Sequence, residues 1–84
     1  MSAYNENTES QERINVTAED LPKLVKAYNE NRNNKAFHFR FETRREPALL
    51  IPAFARYMIE FLCEKFRYKF ERNADSGIIS IRKA

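Results

Sequence analysis

Apolar positions along this chain change period several times, and each change marks an element. Arg13-Ile14-Asn15-Val16-Thr17 alternates, placing Ile14 and Val16 on one face, and predicts a short strand. Leu21, Leu24, Val25 and Tyr28 then recur at i, i+3, i+4 and i+7, the stripe of a helix buried along one side, which predicts helix over residues 18–31. Thr17 followed by Asp20 resembles a capping box in which Asp replaces Glu. The asparagine-rich run Asn29 to Asn34 ends that helix, because Asn readily takes turn conformations.

Residues 35–43 alternate strictly, with Phe37, Phe39 and Phe41 on one face and His38, Arg40 and Glu42 on the other, the pattern of a half-buried strand. Arg44-Arg45-Glu46-Pro47 reads as a connection. Leu50, Phe54, Tyr57, Met58, Phe61, Leu62 and Lys65 follow helical spacing, so a second helix is expected to open irregularly, become regular from Pro52 and run to Phe66. Phe66, Tyr68 and Phe70 alternate with Arg67, Lys69 and Glu71. Ile79-Ser80-Ile81-Arg82 alternates after the turn Asn73-Ala74-Asp75-Ser76-Gly77, so the two runs form a hairpin. Gly77, the only glycine, falls where a left-handed turn residue is needed.

The expected fold is therefore α+β: a two-layer βαβαββ sandwich with a four-stranded mixed sheet and both helices on one face. Packing the aromatic rings inward leaves Asn15, His38, Arg40, Glu42, Arg67, Lys69, Glu71 and Arg82 on or near an open face of that sheet. With 84 residues there is room for one core, here residues 13–84. Residues 1–12, rich in Asn, Ser, Thr, Glu and Gln, read as a disordered acidic tail.

The order βαβαββ, together with Leu50-Ile51-Pro52-Ala53-Phe54, resembles the small proteins of the TusA/SirA sulfur-carrier family. In topology the chain is also similar to Alba and to the C-terminal domain of translation initiation factor 3. The likeness spans residues 13–84 and is mainly topological. It implies sulfur chemistry only if a Cys-Pro-x-Pro motif opens the first helix. Aligning the second proline on Pro22 puts Glu19 at the cysteine position and Asp20 at the first proline, so the resemblance implies a chemically silent relative. The Alba-like likeness implies nucleic-acid binding, although Thr17-Ala18-Glu19-Asp20 stands where an Alba-type lysine pair would be.

Composition narrows the chemistry. One cysteine, Cys63, and one histidine, His38, give no disulfide framework and no zinc-ligand spacing, and a single glycine gives no phosphate loop. No enzyme activity, metal or cofactor is expected. Cys63 is expected to fill core volume, and Glu60 with Glu64 to form solvated surface. No leader pattern and no membrane-length apolar run occur, so a cytoplasmic protein without a membrane partner is expected.

The net charge of +3 conceals an acidic segment over residues 1–12 and a basic remainder. Basic side chains fall in a loop pair, Arg44 and Arg45, and a hairpin set, Arg67, Lys69, Arg72, Arg82 and Lys83. The leading expectation is a non-enzymatic module contacting nucleic-acid phosphates with Arg40, Arg44, Arg45, Arg67, Lys69 and Arg82. The alternative is a protein-binding adaptor or inhibitor directed at an acidic partner surface.

Overall fold

The computed structural model describes residues 15–84. The acidic segment and the first two residues of the expected opening strand, Arg13 and Ile14, lie outside the described residues, and Asn15 to Thr17 form no strand. The fold is α+β. Helix α1, Asp20–Asn31, is followed by strands β1, Phe37–Phe39, and β2, Ala48–Leu50. Helix α2, Pro52–Lys65, then leads into β3, Tyr68–Arg72, and β4, Ile79–Lys83.

The strands do not join into one four-stranded mixed sheet among the described residues. They pair as two antiparallel hairpins, β1 with β2 and β3 with β4. The expected order lacked β2, because Ala48-Leu49-Leu50 is too short to show alternation and runs directly into the helical spacing. Leu50 pairs with Phe37 and Ala48 with Phe39 on the buried side, leaving His38 opposite Leu49 outside. The long strand expected over 35–43 contracts to three ladder residues. Arg40 leaves the ladder to donate from Nη1 to the Arg45 carbonyl, and the Arg44 N–H donates to the Phe41 carbonyl at 3.1 Å. Phe41 nevertheless stays fully buried, its ring edge-on to Phe39 with centroids 4.8 Å apart.

Helix α1 buries Leu21, Leu24, Val25 and Tyr28, as its spacing predicts. Its start is set by Asp20, whose side chain is fully buried. Oδ2 accepts from the Thr17 N–H at 3.2 Å and from the Thr17 hydroxyl at 3.3 Å, which is the back-reaching limb of a capping box. Oδ1 accepts from the Glu42 N–H at 2.9 Å, tying the helix start to the segment after β1. At the other end, Asn31 donates to the Ala27 carbonyl and Asn34 donates back to Asn31, so the asparagine run does terminate the helix.

Helix α2 becomes regular at Pro52, with Ile51 extended before it. Its buried side differs from the expected one. Leu62 and Cys63 are buried as expected, but Ala55 and Ile59 join them in the core, while Phe54, Tyr57 and Phe61 point away. Both sets satisfy helical spacing, and the smaller residues win because α1 packs closely against this helix.

The β3–β4 hairpin lies against both helices. Phe70 opposite Ile81 and Arg72 opposite Ile79 set the register, with Ile79 almost fully buried. Asn29 clamps β4 to α1, its amide donating to the Ile79 carbonyl at 2.8 Å and its carbonyl accepting the Ile79 N–H at 3.0 Å. In the connecting turn, Asn73 Oδ1 accepts the N–H groups of Asp75 and Ser76, and Gly77 has the left-handed φ of 75° that its position requires.

Candidate nucleic-acid interface

All six basic residues singled out from the sequence are exposed, but they sit on two separate hairpins. Arg40, Arg44 and Arg45 belong to the β1–β2 connection. Arg40 is partly committed there by its bond to the Arg45 carbonyl, which holds the connection in place. Arg67, Lys69 and Arg82 belong to the β3–β4 hairpin.

The second group is the better-built surface. Alternation along β3 and β4 sends Tyr68, Phe70, Ile79 and Ile81 toward the core, with Tyr68, Phe70 and Ile81 packed against its edge. Lys69, Glu71, Ser80 and Arg82 consequently face outward. The register sets Lys69 directly across from Arg82 and Glu71 across from Ser80. Like charges placed opposite each other on an antiparallel pair repel. Arg82 relieves part of this by donating to Glu71 Oε2 at 3.1 Å. The ion pairs among the described residues are this one and Lys23–Glu42, so Lys69 has no ion-pair partner among them.

Arg67 adds a second irregularity. It follows the end of α2 with a positive φ of 61°, the left-handed position where glycine is normally preferred. Its N–H reaches back to the Glu64 carbonyl at 3.4 Å, and its own carbonyl accepts from Ala84 at 3.2 Å, which prolongs the β3–β4 ladder by one rung. A side chain in this conformation costs about 1 kcal/mol relative to glycine. Residues 67–84 carry five basic and two acidic side chains, so this one hairpin holds a positive excess equal to the net charge of the whole chain.

The outward face of β3 and β4 has no aromatic ring on which a base could stack. What it offers is forked guanidinium donors and an ammonium, suited to phosphate oxygens. Metal-ligand groupings of three or more His, Cys, Asp or Glu do not occur among the described residues. Cys63 is buried in α2, where burial first and the Glu60 carboxylate second push its thiol pKa up, the reverse of what a nucleophile needs. None of the described helices is long and apolar enough to cross a membrane.

Sequence reasoning missed the outer side of α2. Phe54, Tyr57 and Phe61 are exposed by 43%, 65% and 52%, and Leu49 and Ile51 just before the helix are exposed as well. The signal was present in Ala55, Ile59, Leu62 and Cys63, a second apolar set at i, i+4, i+7 and i+8. Two apolar stripes on one helix mean that one of them can lie outside the core. Comparisons with family models, curated proteins and solved structures found no match for this chain.

Proposed function

We propose that the protein is a non-enzymatic binding module that contacts nucleic-acid phosphates through the outer face of the β3–β4 hairpin. Arg67, Lys69 and Arg82 make the principal contacts, and Arg40, Arg44 and Arg45 add electrostatic attraction from the other hairpin. The observation that carries the reading is the opposition of Lys69 and Arg82 across the ladder. Two cations set opposite each other on a solvent surface, of which only Arg82 is paired, with Glu71, and beside an arginine in a conformation suited to glycine, lower stability unless a further anion offsets them. Without exposed aromatics on that face, recognition is of the backbone and tolerant of sequence. The lone thiol agrees with a reducing, cytoplasmic setting. The TusA-like relation belongs to the same proposal and is supported by Leu50-Ile51-Pro52-Ala53-Phe54 at the opening of α2, whereas the Alba-like relation rests on the order βαβαββ alone, which the described elements do not reproduce.

A second reading, a protein-binding adaptor, is favoured by the exposed aromatic side of α2. Titration of fluorescent single-stranded RNA, single-stranded DNA and duplex DNA at two salt concentrations separates the two. Phosphate contact gives binding that weakens steeply with salt and differs little between sequences of the same form. Absence of binding to all three probes at low salt rejects the nucleic-acid reading and leaves the adaptor.

A further inference from the structure

Helix α2 has two apolar sides, and the core uses only one. Ala55, Ile59, Leu62 and Cys63 are buried, whereas Phe54, Tyr57 and Phe61, at i, i+3 and i+7, form a stripe on the opposite side. The Phe54 and Tyr57 rings lie 6.5 Å apart between centroids, and Phe61 follows one turn further along the same side. Isolated exposed apolar side chains are ordinary on a monomer, but a contiguous aromatic patch marks a contact surface.

We propose that this face binds a second copy of the same chain, α2 against α2, in an antiparallel two-fold dimer. A two-fold interface must be complementary to itself, and the stripe meets that condition. Tyr57 falls within half a residue of the midpoint between Phe54 and Phe61, so reversing one helix sets Phe54 against the partner copy's Phe61 and brings the two Tyr57 rings together at the axis.

Charge selects the same arrangement. The second half of α2 carries Glu60, Glu64 and Lys65 and is net acidic, while its first turn has no acidic residue and its first half carries Arg56. Antiparallel pairing lays each acidic half beside the other copy's acid-free half and the positive end of its helix dipole. Parallel pairing would instead set the two net-acidic halves side by side.

The area is modest. Three aromatic side chains about half exposed, plus Leu49 and Ile51 at the margin, supply on the order of 100 Å² each. That is below the roughly 800 Å² per partner of a permanent complex, so the dimer is expected to dissociate in the micromolar range. The dimer rests on α2 alone and is independent of nucleic-acid binding by the β3–β4 hairpin.

Sedimentation velocity from about 1 µM to 1 mM, a range that brackets micromolar association, tests it. Mass is expected to rise with concentration from 10.0 kDa toward twice that value. Phe61→Lys is expected to stay monomeric with an unchanged circular dichroism spectrum. Tyr57→Cys is expected to crosslink to itself on mild oxidation, while Lys65→Cys does not, because antiparallel pairing holds the two copies of position 65 more than about 20 Å apart. Buried Cys63 stays out of this exchange. A monomer throughout the range would overturn the proposal, as would a dimer that survives Phe61→Lys. Equal crosslinking at both positions would overturn the antiparallel arrangement. Stoichiometric capture of a different protein on the same face by a chain that stays monomeric would replace the second copy with that partner.

Discussion

Asn29 and Ile79, fifty positions apart, exchange two hydrogen bonds in which a side-chain amide takes the place of a neighbouring strand. Ile79 opens β4 and is almost fully buried, so its backbone groups have little access to water. Asn29→Ala leaves both without a partner and is expected to destabilise the fold by about 2 kcal/mol. Hydrogen exchange at the Ile79 amide should accelerate with it, and an unchanged exchange rate would show that the clamp is dispensable.

Asp20 joins three donors from two segments, Thr17 and Glu42, at a fully buried site. Asp20→Ala is expected to cost about 2 to 4 kcal/mol in urea denaturation, since hydrogen bonds to a charged acceptor are the stronger kind and the Glu42 N–H is left without its acceptor. Asp20→Asn should recover part of the loss. A difference between wild type and Asp20→Ala below about 0.5 kcal/mol, the scale of an ordinary surface substitution, would contradict this role.

Arg67 separates stability from binding. Arg67→Gly removes a side chain from a left-handed position, with a φ of 61°, and is expected to stabilise the protein by about 0.5 to 1 kcal/mol. The same change should weaken polyanion binding by removing one phosphate contact. Thermal melts and the binding titration, run on the same variant, read the two effects with opposite signs.

Cys63 gives the fold a dependence on alkaline pH. Burial, then the Glu60 carboxylate, raise the thiol pKa in the folded state above its ordinary value of about 9.0. Below that pH both states hold the proton and the stability contribution is complete. As pH rises from there toward the folded pKa, the unfolded chain releases a proton that the folded chain keeps, so stability falls by up to about 1.4 kcal/mol per pH unit. Cys63→Ala should be flatter than wild type above about pH 9 in denaturant titrations.

Much of this was legible in the pattern. The α1 stripe, the burial of Phe37, Phe39 and Phe41, the regular start at Pro52 and the left-handed Gly77 all follow from local spacing and backbone chemistry. Strand β2 did not, because three residues cannot display a period of two. The inner side of α2 was obscured for another reason: large rings advertise burial more strongly than Ala55 or Ile59, yet a close α1–α2 contact favours the smaller side chains. The opposition of Lys69 and Arg82 depends on hairpin register, which the turn length sets and composition does not reveal.

The most direct test of the phosphate-contact account is the slope of log affinity against log salt for single-stranded RNA, compared between wild type and Lys69→Gln/Arg82→Gln. If the β3–β4 face touches phosphates, removing two contacts should flatten the slope by about 1.4 and weaken binding at low salt while leaving the fold intact. Equal slopes for the two proteins would contradict it.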